Sequence, residues 1–304
     1  MNLSTFDLVK KLSSERSDRL ITVSDDDVRR IQKVLLDMME DIKSVCEENG
    51  ITYMLVGGSA LGAVRHDGFI PWDDDMDIGM TGRDFKKFVK LFEEKFGGKY
   101  WVHTEDTPEY GSVIGKIRLK GSTYKGRDDL FTDECGIPVD IFRLENVSDN
   151  KFIRKIHKTF CMGIGLVLSC RLFYRNREYY MDLAAGDKDI EKIFKRKIRL
   201  GSLFRFMSVK SWAKLTEKFY GACKKDGSKC VVIPSGRKHF SGEIYSREDM
   251  LRTEDHIFNG HTFPIPAGYD AYLKQLYGDY MKIPSPEERE SHLLVSLDIP
   301  QEYR

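Results

Sequence analysis

Four carboxylates, Asp73, Asp74, Asp75 and Asp77, fall within five positions directly after Trp72 in the stretch WDDDMDIGM. Neighbouring carboxylates repel one another unless water screens them or a cation neutralises them, and the apolar residues on both sides argue against a simple solvated loop. In a strand, Asp75 and Asp77 point to the same face, roughly 7 Å apart. Their oxygens suit a hard ion such as Mg2+ or Mn2+. Holding two ions calls for a third acid, and Asp140 in IPVDIF is the best candidate, because an unpaired carboxylate inside an apolar strand would be costly. The plainer alternative is a charged turn, with Asp140 salt-bridged to one of the many basic residues.

Upstream, Gly57, Gly58 and Ser59 sit where a strand-like run meets a helix-like one. Glycines at such a turn let a phosphate approach the backbone, and the helix N-terminus supplies N–H donors and positive dipole. Followed by an acidic D-x-D strand, the turn describes a site for a metal-chelated nucleotide phosphate, the arrangement of nucleotidyltransferases. Arg65 and His66 end the short helix, where Arg65 either offsets phosphate charge or pairs with Asp67 or Asp73. Lys116 and Arg118 are further phosphate candidates, against the reading of a solvated basic strand face. Trp72 reads as a loop anchor ahead of a ligand.

The surrounding pattern must hold these residues in place. Residues 25–49 put Val28, Ile31, Val34, Leu35, Met38, Ile42 and Val45 at helical spacing, with Ser24 or Asp25 as cap and Gly50 as stop. ITYMLVGG then reads as a buried strand, SALGAVRH as a short helix and DMDIGM as a second strand. A helix is expected over GRDFKKFVKLFEEKF and strands at YWVHT, SVIGKIRLKG and IPVDIFRLE, the middle one with Lys116, Arg118 and Lys120 on one face. These make a small mixed sheet. From about residue 151 the texture turns basic and helical, so residues 1–150 are expected to form the catalytic core and 151–304 an acceptor-side region, with a soft boundary.

Across the 304 residues, 41% hydrophobic content with 12% aromatics is the composition of a folded chain with a real core. The formal net charge of +1 hides an asymmetry. Residues 151–220 hold 17 Lys and Arg against 6 Asp and Glu, and residues 70–140 hold 11 against 15. The N-terminal MNLSTFDLVKKLSSERSDRL lacks the apolar core of a secretory signal, and no uninterrupted apolar run approaches the roughly 20 residues of a span, so a cytoplasmic location is expected. Six cysteines without C-x-x-C spacing are read as reduced and mostly structural. His239, His256 and His261 lack the pairing of a zinc site.

The run from IQKVLLDMMEDIKSVCEENG through ITYMLVGGSALGAVRHDGFIPWDDDMDIGM closely resembles the LicD family of phosphotransferases. The likeness continues through GIPVDIF to the C-terminal YLKQLYGDYMKIPSPEER and the following His292. It implies an α+β fold, with a nucleotidyltransferase-like mixed β-sheet core, flanking helices and a basic helical insertion. It also implies transfer of a phospho-alcohol, typically phosphocholine from CDP-choline, to a hydroxyl of a cell-surface glycan or teichoic acid precursor. Fukutin-type relatives instead transfer ribitol phosphate from CDP-ribitol. By position, Gly58 and Ser59 would hold phosphate, Asp75 and Asp77 two Mg2+ or Mn2+ ions, and Asp140 would be ligand and candidate base; Asp73 matches another acid of the motif. The acceptor would be a glycan, in some members lipid-linked, which suggests peripheral contact with the inner membrane face; no nucleic acid partner is implied. Competing readings are transfer of NMP to a small alcohol or sugar, a D-x-D glycosyltransferase, and a non-catalytic nucleotide or metal sensor.

Overall fold

Ser24 accepts a hydrogen bond from the Asp27 N–H at 3.1 Å, three aspartates follow in the first turn, and Gly50 ends the helix at φ 58°. These signals produce α1 (Asp25–Asn49), whose buried stripe from Val28 to Val45 is the one that the spacing predicts. The structure is a computed structural model and describes residues 21–126, 129–130, 132–289 and 293–303. The N-terminal 1–20 and His292 lie outside the described residues.

In chain order the elements flanking α1 are β1 (Ile21–Thr22), β2 (Tyr53–Leu55), α2 (Gly57–His66), β3 (Asp77–Thr81), α3 (Gly82–Phe96), β4 (Tyr100–His103), β5 (Gly115–Leu119), β6 (Thr123–Gly126) and β7 (Pro138–Asn146). The main sheet runs β2-β3-β7-β5-β4, with β3 and β7 parallel and the other pairs in that path antiparallel. A parallel pair needs a crossover, and α3 opens it, capped by Thr81 and packed through Phe85, Phe88 and Phe92. The α+β fold is therefore as expected, with the acidic strand β3 held inside the sheet between β2 and the central β7.

Four helices follow, α4 (Lys151–Arg175), α5 (Arg177–Ala184), α6 (Lys188–Leu203) and α7 (Val209–Tyr220). Their buried residues make small clusters, one of which joins Cys161 and Tyr220 to Val147, Val232 and Phe240, whereas the stretch after residue 230 also rejoins the main core through Tyr245, Phe258, Phe263, Tyr272 and Leu276. That stretch holds β8 (Cys230–Val232), α8 (His239–Gly242), β9 (Ile244–Ser246), α9 (Arg247–Leu251), the hairpin β10 (Thr253–Phe258) and β11 (His261–Pro266), α10 (Tyr269–Tyr277) and β12 (Leu293–Asp298). One expectation needs correction: α4 runs 25 residues and is long and apolar enough to cross a membrane by length and composition. Its apolar centre is short, but the lysines and arginines at both ends are good helix formers and extend it. All six cysteines are unpaired thiols.

Where β7 meets α7, one buried guanidinium serves several acids. Arg143 lies 2.6 Å from Glu105 and 2.6 Å from Glu217, with Glu145 close by and the Phe85 ring 4.4 Å beneath it. A single positive charge cannot hold three buried carboxylates ionised. Burial pushes the Glu217 carboxyl up from 4.5 to about 8, against the pull of Arg143. The folded state thus keeps a proton that the unfolded chain releases, so this contribution to stability is full below pH 4.5 and declines as pH rises towards about 8. Glu217→Gln is expected to flatten that decline, gaining at least about 1 kcal/mol on wild type between mildly acidic and alkaline buffer. Thermal unfolding at both pH values checks it; parallel pH slopes in the two proteins would refute the assignment.

Candidate active site

The site begins at the turn between β2 and α2. Gly57 takes φ +56°, and a Cβ there would lie 2.6 Å from the Asp77 Oδ2. At Gly58 a Cβ would come within 2.9 Å of the Asp73 Oδ2. A Cβ at either position would push the opposing carboxylate aside, and at Gly57 the positive φ independently favours glycine. No side chain caps α2 at Val56; instead the Gly57 N–H donates to the Tyr272 Oη at 2.7 Å. The Ser59 Oγ accepts the backbone N–H of Asp77 at 2.8 Å, which ties the helix to the acidic strand.

That strand is shorter than DMDIGM suggests: it starts at Asp77, so Asp75 and the buried Met76 lie in the segment that leads into it, and Asp75 and Asp77 are both half-buried while Ile78 is fully buried. Asp74 turns inward, its carboxylate accepting from the Tyr124 hydroxyl at 2.9 Å. The parallel register places Asp77 directly opposite Asp140, and the Asp140 N–H donates to the Met76 carbonyl at 2.8 Å. On the next strand Lys116 faces Asp140, its ammonium 2.6 and 2.8 Å from the two carboxylate oxygens. Desolvation, the largest influence, pushes the Lys116 pKa down, but Asp140 and Tyr110 outweigh it and hold it above the usual range.

The remaining candidates divide. Arg118 is 2% exposed and locked 2.6 Å from Asp129, and Lys120 donates to the Gly97 carbonyl, so the basic face of this strand is not solvated. Arg65 pairs with neither Asp67 nor Asp73 by a short contact; its guanidinium donates to the carbonyls of Tyr280 and Lys282 at 2.7 and 3.4 Å. That bond fastens the end of α2 to the segment after α10. His66 accepts from the Arg65 Nε at 3.0 Å, and burial together with Arg65 lowers its pKa, which keeps it neutral. Trp72 stands edge-on to His66, with the Arg289 guanidinium 4.1 Å over its ring. The loop carrying it is held from two sides: Gln32 of α1 donates to the Asp73 carbonyl at 2.8 Å, and Asn259 receives the Phe69 N–H at 2.8 Å. Asn259 and Gly260, both at positive φ, form the two-residue turn of the β10–β11 hairpin.

Sequence reasoning misses three contributors from the C-terminal part. Tyr272 and Tyr277 of α10 reach the turn and the acids, and burial raises both hydroxyl pKa values, with Asp77 adding to the shift in each case. Arg237 stands 6.0 Å over the Tyr277 ring. The only signal for the two tyrosines is membership of the C-terminal run that resembles the family, since tyrosines are abundant throughout the chain, and Arg237 lies outside that run with no sequence signal at all.

The donor set suits a hard divalent cation, because Asp73, Asp75 and Asp77 offer carboxylate oxygens beside a turn stripped of side chains. Among the described residues no group of three or more His, Cys, Asp or Glu side chains is placed to hold a metal ion by itself. Mg2+ does not need one: it is typically held by one or two carboxylates, with substrate phosphates and water completing the octahedron. His256 and His261 contact Glu254 and Glu40 rather than one another.

Comparison with known proteins finds similar sequences over the segment that holds these residues. The model of the LicD/FKTN/FKRP nucleotidyltransferase domain matches residues 50–155, which span α2, β3 and Asp140. The lipopolysaccharide cholinephosphotransferase LicD of Haemophilus influenzae is 27% identical over 276 residues, covering 87% of this chain and 95% of that protein. Human ribitol 5-phosphate transferase FKRP is 44% identical over 52 residues, 17% of this chain and 10% of that protein. An uncharacterized protein of Rickettsia prowazekii is 39% identical over 83 residues, 24% of this chain and 31% of its own length.

Proposed function

This chain carries the nucleotidyltransferase domain of the LicD family of phosphotransferases, and from that premise we propose that it moves a phospho-alcohol, phosphocholine foremost, from a CDP-alcohol to a glycan hydroxyl. The observation that carries this reading is the juxtaposition of Asp77, opposite Asp140 in the sheet, with the Gly57-Gly58 turn packed on the acids. Choline is favoured because the relative matched over most of its length is a cholinephosphotransferase. Lipopolysaccharide or a teichoic acid precursor is the acceptor class, and the reaction is cytoplasmic.

Asp75 and Asp77, with Asp73 beside them, would hold Mg2+ or Mn2+. When bound, the ion neutralises the diphosphate and stabilises the charge that develops on the leaving oxygen. The Gly57-Gly58 turn admits the phosphate to the N-terminus of α2, where the backbone dipole favours negative charge. Lys116, held by Asp140, adds a cation whose position is fixed by two short bonds. Asp140 orients Lys116 through both of its oxygens, the salt bridge of the plainer reading, and would accept the proton of the attacking hydroxyl in exchange for one of those bonds. The acceptor oxygen forms its bond to the phosphorus bearing the alcohol as the bond to CMP breaks.

The same carboxylates would serve transfer of NMP to an alcohol or sugar, in which only the leaving fragment differs. Incubation with CDP-choline, CDP-ribitol, CDP-glycerol or nucleoside triphosphates in Mg2+, followed by mass spectrometry, separates the two. Release of CMP from a CDP-alcohol is expected; release of pyrophosphate from a triphosphate, with the CDP-alcohols untouched, would replace this reading with nucleotidyl transfer.

A further inference from the structure

Beyond the catalytic site, the first half of α4 presents apolar side chains to solvent. Phe152, Ile153, Ile156, Phe160 and Leu166 are between 42% and 72% exposed. At 100° per residue they fall in a stripe about 140° wide, with Lys151, Lys155 and Lys158 along one margin. The inner side of this half is anchored on α7: the His157 ring lies 2.6 Å from the Phe219 carbonyl, and Cys161 is fully buried. Further along, the Arg171 guanidinium donates to the carbonyls of Gly201 and Met207, which pins the other half of α4 to α6 and the segment after it. A helix so fastened along its length can lie on a bilayer but cannot cross one without dismantling the bundle. Leu203 and Phe206, 71% and 70% exposed, add apolar surface at the α6–α7 corner, where Phe206 meets Trp212.

We infer that the outward face of α4 docks on the surface of an anionic lipid bilayer. Charge complementarity selects this occupant. Residues 151–220 carry 17 basic against 6 acidic residues, and Lys151, Lys155 and Lys158 form no ion pair among the described residues. Anionic headgroups neutralise these lysines and the acyl region takes up the phenylalanines. The docking is a property of the helical region and does not depend on which donor the site uses.

Flotation with phosphatidylcholine vesicles, with and without phosphatidylglycerol, at low and high salt, tests it on the full chain. Wild type is expected to float with the anionic vesicles only, less so at high salt. Lys151→Glu, Lys155→Glu and Lys158→Glu together should lower the partition coefficient on the order of 100-fold. Phe152→Ser, Ile156→Ser and Leu166→Ser together should abolish flotation at either salt concentration, while both variants keep the wild-type unfolding temperature and turnover on a water-soluble acceptor. Wild type that stays with the unbound fraction, or floats equally on neutral vesicles, overturns the inference. So does a dimer seen by sedimentation that the serine variant abolishes, in the absence of any vesicle binding.

Discussion

Asp75→Asn and Asp77→Asn are each expected to lower transfer on the order of 1,000-fold while leaving thermal unfolding close to wild type. Asn keeps the size of Asp and removes only its charge. At Asp77 the substitution also leaves the side chain packed against the Gly57 turn, which no larger residue at position 57 would allow. In the proposed mechanism that charge would bind the cation, and its loss would leave the substrate's diphosphate uncompensated. Asp140→Asn behaves differently. It also abolishes transfer, but it strands a half-buried Lys116 that is now bonded to both Asp140 oxygens, and a loss of about 2 kcal/mol in stability follows. Turnover and melting measured on the same three preparations separate the roles. Full activity of either Asp75→Asn or Asp77→Asn at limiting Mg2+ would remove the metal assignment, and an Asp140→Asn protein as stable as wild type would mean that the Lys116 pair contributes nothing to the fold.

How far the residues alone announce this site depends on how local the determining contacts are. α1 and α3 are readable because their caps, Ser24 and Thr81, and their apolar stripes lie within the same short segment. The strand, glycine turn, helix and acidic strand from residue 51 to 80 are readable for the same reason, and the structure places α2 and β3 there. Cross-strand partners are not local. Arg118 and Lys116 share a face, as period two demands, yet nothing nearby says that one meets Asp129 and the other Asp140. Arg65 is expected near phosphate or a neighbouring acid, and its carbonyl partner at Tyr280 lies more than two hundred positions away. Tyr272 reaches the Gly57 N–H across a similar gap, so the completed turn is a product of tertiary packing that periodicity cannot express.

In the proposed site a divalent cation joins the acidic strand to the nucleotide's phosphates. Without it, Asp73, Asp75 and Asp77 would face a diphosphate of the same sign, and the dipole of the ten-residue α2 is too small to offset that repulsion. Affinity for a CDP-alcohol is therefore expected to fall at least about 100-fold when the ion is removed, a difference of about 2.7 kcal/mol. Isothermal titration of CDP-choline into the wild-type chain, once with excess Mg2+ and once with excess chelator, measures it directly. Binding in Mg2+ that is lost in chelator is the result predicted; equal affinity in the two titrations would contradict the metal-bridged site at its base.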